Sequence, residues 1–305
     1  IQPTEYLHHK TIRSIEVTAN HAFPLGRLCG LFGCKQSNNE VRLMKLLNID
    51  ANAKTIKGQK QGYMTAILYL SPSDSSGKNL CPMAKQAGCI AGCLNTSGRG
   101  GIAKNNATFE TISGATLPDN TVQRARMARS ELFNNDQPGF MAQLAIEITA
   151  FIKKAGRKGL IPVIRLNGTS DILWETIPVN GADSIMELFP DIQFYDYTKV
   201  YKRLVRPLPA NYHLSLSYSE ASQKYSLAVR TMAQFKGDDV NLVVVFRKEL
   251  PDTFAGRKVI NGDESDLRFL DQTGVVVGLK AKGKARKDTS GFVIDPAPFQ
   301  IITAA

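Results

Sequence analysis

Cys81, Cys89 and Cys93 stand in the stretch "CPMAKQAGCIAGC", which places three of the chain's five cysteines within thirteen residues. The spacing C-x7-C-x3-C lets one short loop wrap its thiolates around a single centre, and Gly88 and Gly92, each just before a cysteine, allow the tight backbone turns this requires. Three thiolates suit a thiophilic centre, either zinc or an iron–sulfur cluster. If Cys29 or Cys34 closes the site, a four-coordinate structural zinc is the simpler account. If the fourth position stays open, a 4Fe-4S cluster presents one iron to a ligand, which implies catalysis or redox sensing. Metal-free buried thiols are the remaining alternative. His8, His9 and His21 together with Cys29 and Cys34 match no common finger spacing.

A second group of chemistry-bearing residues collects just after the apolar runs of the chain. "VIRLN" is followed by "GTSD", "FYDY" by "TK", "LSLSY" by "SE", "VVVF" by "RKE" and "VVVGLK" by "AKGKARKD". In parallel α/β folds the C-terminal ends of the strands form the functional face. This pattern places Asp171, Asp196 and Lys199 as candidate catalytic side chains around one mouth. Asn167, Thr169, Ser170, Ser217, Glu220, Arg247 and Lys282 join them there as candidate cofactor-binding residues. Asn167 and Ser170 offer hydrogen bonds, Asp171 and Asp196 suit ribose hydroxyls or a metal, and Lys199, Arg165 and Arg247 suit an anion. Tyr195 and Tyr197 alternate with Asp196, so in a strand they face away from it. "NGDESDLRFLD" carries Asp263, Glu264, Asp266 and Asp271, a density of acids able to hold Mg²⁺. "KAKGKARK" (280 to 287) has five basic residues in eight, which suits a phosphate backbone or a cofactor carboxylate, or pairing with the acidic turn.

The elements that would position these residues read as strands alternating with helices. "GYMTAILYL", "LIPVIRLN", "DIQFYDY", "NYHLSLSY", "VNLVVVF" and "GVVVGLK" are short apolar runs, the first ended by the turn signal "SPSDSSG". "TVQRARMARSELF", "PGFMAQLAIEITAFIKKAG", "GADSIMELF" and "EASQKYSLAVRTMAQF" carry the helical segments between them. Alternation of this kind implies parallel pairing, because each return crossover needs a helix-length connection. The expected fold is α/β, a partial (β/α) barrel of about six mainly parallel strands with an added N-terminal segment. Pro162 is a weak objection to a central place for its strand, relieved if it sits at the start of the ladder. Residues 1–60 read as an extension or cap with a strand in "SIEVTA" and a helix in "NNEVRLMKLLN", 61–295 as the domain that carries the cysteine loop, and 296–305 as a tail.

Composition agrees with a folded protein, with 43% hydrophobic and 21% charged residues. No run is long and apolar enough for a membrane span, and the start lacks the apolar core of a secretory signal, so the expected location is cytoplasmic. In a reducing compartment clustered cysteines favour metal or redox chemistry over disulfides. A net charge of +11 favours anionic partners such as nucleic acid or nucleotides.

Four stretches carry a family resemblance: "CPMAKQAGCIAGCLNTSGRG", "RLNGTSDILWE", "FYDYTK" and "VINGDESDLRFLDQTGVVVGLKAKGKARKDTSGFV". Over roughly residues 60 to 293 the chain resembles the gene product 88-like proteins of bacteriophage and bacterial genomes, which would place it in the host cytoplasm. The layout in turn resembles the radical S-adenosylmethionine enzymes. That resemblance implies Cys81, Cys89 and Cys93 as cluster ligands, S-adenosylmethionine bound at the free iron, a reductant partner and release of a 5′-deoxyadenosyl radical. The usual spacing in those enzymes is C-x3-C-x2-C, from which this chain departs. Two further readings stand beside it: a zinc-stabilised nucleic-acid-binding module, and a Mg²⁺-dependent nuclease built on the acidic strand-end residues.

Overall fold

The computed structural model describes residues 44–50 and 53–296. The strand expected in "SIEVTA", the three N-terminal histidines, Cys29, Cys34 and the tail after residue 296 lie outside the described residues. The chain opens with β1 (Leu47–Ile49), α1 (Ala53–Gln59) and β2 (Tyr63–Leu68), and then, after a long cysteine-bearing stretch, forms a hairpin of β3 (Thr108–Glu110) and β4 (Thr116–Pro118). Helices α2 (Thr121–Asn135) and α3 (Gln137–Gly156) lead to β5 (Ile161–Arg165), α4 (Ile185–Leu188), β6 (Gln193–Thr198) and β7 (Tyr212–Ser217). Helix α5 (Gln223–Lys236), β8 (Leu242–Phe246), β9 (Thr253–Phe254), β10 (Arg257–Asn261), β11 (Val276–Lys280) and β12 (Val293–Ile294) complete the described chain. No helix among the described residues is long and apolar enough to cross a membrane.

Ten strands form one mixed, mainly parallel sheet in the order β1-β2-β5-β6-β7-β8-β11-β10-β9, with β12 paired to β8. Only the pairings of β1 with β2 and of β9 with β10 are antiparallel in this sheet. The expectation of about six strands therefore captured the parallel centre and missed its margins. "NNEVRLMKLLN" was expected to be helical, but its last residues pair as β1. The reason is a competing partner: the Glu147 carboxylate on α3 accepts from the Leu46 and Leu47 amides at 2.8–3.0 Å and holds this segment extended.

Pro162 lies inside the sheet without breaking it. It pairs with Met64 of β2, whereas the β6 ladder begins only at Val163, so its missing N–H removes no bond on that side.

The two faces of the sheet differ. One packs Met64, Ala66, Ile164, Phe194, Leu214 and Val244 against Phe140, Leu144 and Ile148 of α3 and Tyr225 and Val229 of α5. Helix α3 owes its form to an apolar stripe at helical spacing, a start capped by Asp136 accepting from the Gly139 amide at 2.9 Å, and Pro138 in its first turn. Each fully buried Leu, Ile or Phe on this face contributes about 1.5–3 kcal/mol relative to exposure. The opposite face carries Val163 and Tyr195, on which Leu267 and Phe269 settle from the loop between β10 and β11.

Strands β7 and β8 stay together only at Leu216–Leu242 and Ser217–Val243. Beyond that point β12 takes the place beside β8, pairing Val293 with Val245 and Ile294 with Phe246. The segment leading into β12 is tied to the end of β7 by the Glu220 amide, which donates to the Gly291 carbonyl at 2.8 Å.

Candidate functional site

The cysteine loop is a coil of short turns laid over the C-terminal ends of the parallel strands. Ala84 N–H donates to Cys81 O at 3.0 Å, Cys89 N–H to Ala84 O at 3.1 Å and Cys93 N–H to Ile90 O at 3.3 Å. Gly88, at φ +67°, admits Ala221 and Ser290 so closely that an added Cβ would lie 2.5 Å from the first and 2.7 Å from the second. Gly92 would bring a Cβ to 3.1 Å from the Phe292 ring and 3.2 Å from Ala285. After Cys93 the chain is pinned to α2: Arg126 and Gln123 both donate to the Asn95 carbonyl at 2.7 Å.

All three cysteines are free, half-buried and line one cavity of about 200 Å³. Cys81 Sγ donates toward the Thr169 carbonyl at 3.8 Å, Cys89 Sγ toward the Ala84 carbonyl at 3.7 Å, and Cys93 Sγ accepts from the Asn95 amide at 3.5 Å. Burial pushes the Cys81 thiol up to about 12, and Cys93, Asp171 and Cys89 nearby push in the same direction. Burial likewise raises the Cys93 thiol, with Cys89 adding to it and Lys199 and Arg126 opposing. Burial alone would lower the Lys199 ammonium, but Cys89, Asp171, Cys81 and Cys93 around it raise it above its ordinary value. Lys199 thus lies within electrostatic reach of all three sulfurs. Among the described residues, no group of three or more His, Cys, Asp or Glu side chains is arranged to hold a single metal ion.

Of the residues expected at the mouth, Asn167, Thr169, Ser170, Asp171, Lys199, Ser217 and Lys282 do line this cavity. Several have their polar atoms already engaged. Asn167 Oδ1 accepts from Ser170 Oγ, the Ile172 amide and Trp174 Nε1 at 2.9–3.1 Å, while its amide group donates to the Ile172 carbonyl. Thr169 Oγ1 donates to the Leu70 carbonyl at 2.6 Å. Asp171 accepts from Thr198 Oγ1 at 2.8 Å, from the Lys199 amide at 2.7 Å and from Arg203 at 3.2 Å.

Asp196, Glu220 and Arg247 do not line the cavity. Asp196 is fully buried and accepts from the Asn167 amide at 2.8 Å and Tyr212 Oη at 2.9 Å. Burial pushes its carboxyl up to about 7, against the pull of Arg165 and these donors. Glu220 is exposed and accepts from Tyr218 Oη at 3.2 Å. Arg247 pairs with Asp295 at 2.7 Å and donates to the carbonyls of Arg286 and Asp288, so it anchors the segment before β12.

The four acids of the turn after β10 disperse to separate partners. Asp263 meets Lys54 at 3.0 Å and Lys282 at 2.7 Å. Asp266 pairs with Arg165 at 3.3 Å, Asp271 with Arg268 at 3.2 Å, and Glu264 accepts from Asn261 at 3.0 Å. Partial burial would raise the Asp263 carboxyl, but the lysines and the Lys280 amide hold it down at about 2. Tyr195 and Tyr197 sit on the opposite face from Asp196, as the strand alternation predicts, and the Arg165 guanidinium lies 4.5 Å from the Tyr197 ring centre.

Sequence reasoning missed Lys54 and Phe292, both of which line the cavity. Lys54 sits on α1, far from any motif. Phe292 is the next-to-last residue of the last of the four family-resembling stretches, which was a usable signal.

This geometry defines a mixed α/β protein whose mainly parallel sheet carries a cysteine-lined cavity at its C-terminal strand ends. The chain belongs to the Gene product 88 family, whose model matches residues 44–296. No curated protein and no solved structure matches it.

Proposed function

We propose that Cys81, Cys89 and Cys93 hold a 4Fe-4S cluster and that the protein is an iron–sulfur enzyme of radical S-adenosylmethionine type acting on an anionic substrate. The observation that carries this reading is that all three cysteines line one cavity. A lone zinc ion holds every sulfur at about 2.3 Å, so its ligands crowd together. A multi-iron cluster spreads its thiolates further apart, over the space that one shared cavity offers. Helical crossovers packed on one face of the sheet, with the cavity on the other, fit a partial barrel.

A cluster bound there would supply single electrons for reductive cleavage of S-adenosylmethionine. The chain's own residues supply the surroundings. Lys199 balances thiolate charge, and Arg165 on the floor presents a guanidinium held by Asp266 and Tyr197. Because burial keeps Cys81 and Cys93 protonated, loading must displace their protons and strengthens as pH rises.

Anaerobic purification followed by iron and sulfide analysis tests the reading. A brown protein with about four irons per chain is expected, falling to near zero in Cys81→Ser, Cys89→Ser and Cys93→Ser. Colourless protein with stoichiometric zinc overturns it in favour of the structural-zinc alternative.

A further inference from the structure

The segment between β11 and β12 forms a basic strap across the cysteine loop. Its glycine, Gly283, lies so close to the loop that an added Cβ would sit 2.8 Å from Ser97 Oγ, and Ser290 Oγ donates to the Gly88 carbonyl at 3.0 Å. Its own Ala281 and Ala285 are buried, and Arg247 fixes its carbonyls at Arg286 and Asp288. The backbone of the strap is therefore anchored to the cysteine loop and to Arg247.

Those charges are largely uncompensated. Lys282 is used by Asp263, and Asp288 is spent on Ser290 and the Val293 amide. Lys280, Lys284 and Lys287 are exposed and have no ion-pair partner among the described residues. Phe292, at the end of the strap, presents its ring to the cavity that the three cysteines line, and the Lys199 ammonium stands 5.7 Å from the ring centre.

Exposed cations carried on one anchored segment beside an aromatic ring are an arrangement that binds unpaired nucleic acid, the phosphates on the cations and a base against the ring. A base inside a duplex could not reach a cavity roofed by this strap, so the strand must be single or locally opened. We propose that the strap and cavity bind single-stranded nucleic acid, with the backbone on Lys280, Lys284 and Lys287 and one base seated against Phe292. This deepens the proposed function by naming the substrate class of the same site, and it rests on that reading only for the chemistry that follows binding.

The test is fluorescence anisotropy of the full chain with labelled single-stranded DNA, single-stranded RNA and duplex DNA across a salt series, with iron content measured on the same preparations. Binding of at least one single strand over the duplex is expected, with affinity falling as salt rises. The triple variant Lys280→Ala, Lys284→Ala, Lys287→Ala should reduce the slope of log affinity against log salt by about two, from about 0.7 per phosphate lost. Phe292→Leu, which retains an apolar filler against Gly92 and Ala285, should weaken single-strand binding by about ten-fold and leave the slope unchanged. Melting temperatures of both variants within a few degrees of wild type certify the fold. Equal binding of duplex and single strand, or an unchanged slope in the triple variant, overturns the inference. Iron-loaded protein that ignores single strands sinks this inference alone, whereas iron-free protein that binds them sinks the cluster and leaves the inference standing.

Discussion

At the residue scale, Asn167 shows how a residue can be at the site and still serve the scaffold. Its Oδ1 accepts three hydrogen bonds, one of them from the chain's only tryptophan, and so fixes the loop that forms the cavity floor. Asn167→Ala leaves those buried donors unpaired and should lower unfolding free energy by about 2–4 kcal/mol in urea titration. Arg203 is a second case: fully buried, it grips Glu175 with two bonds of 2.6–2.8 Å and also reaches Asp171 and Tyr212. Replacing Arg203 with Met strands two carboxylates and should cost about 3–5 kcal/mol, read by the same titration. The cysteines were legible from sequence because three thiols so close have few uses. Asp196 was not, since a carboxylate at a strand end looks identical on paper whether it faces solvent or is enclosed by Tyr212 and Asn167.

Among the elements, the strap takes two of its anchoring bonds from one side chain, Arg247. Arg247→Ala removes the ion pair to Asp295 and the donors to two strap carbonyls, so backbone amides of residues 283–294 should exchange hydrogen faster than in wild type while those of α3 stay unchanged. The strands β2, β5, β6, β7, β8 and β11 were readable because each is an apolar run bounded by turn residues. The two-residue strands β9 and β12 carry no such pattern, and β10, "RKVIN", has too little alternation to announce a strand. For β1, residues 46 and 47 owe their extended form to Glu147, a hundred positions away, which no local window contains.

For the whole molecule, charge and pH act in opposite directions at two carboxyls, the buried Asp196 and the partly buried Asp263. The folded Asp196 carboxyl, raised to about 7, holds a proton that the unfolded chain releases near pH 4, so this group's contribution declines as pH climbs from about 4 to 7. The folded Asp263 carboxyl, held at about 2, acts the other way: its contribution is present above about pH 4 and is lost as pH falls toward 2. Thermal melts should therefore show a loss from pH 4.5 to 7 that Asp196→Asn removes, and a separate acid loss that Asp263→Asn reduces. The order of the central strands was legible because β2 and β5 through β8 lie side by side in chain order, whereas the late arrival of β12 between β7 and β8 has no sequence counterpart. That late arrival sets a timetable on the ribosome. The strand and strap that pack on the cysteine loop emerge after both strands they join, so a chain ended near residue 280 should react with a thiol-specific reagent faster than the full chain, in which the three cysteines are half-buried.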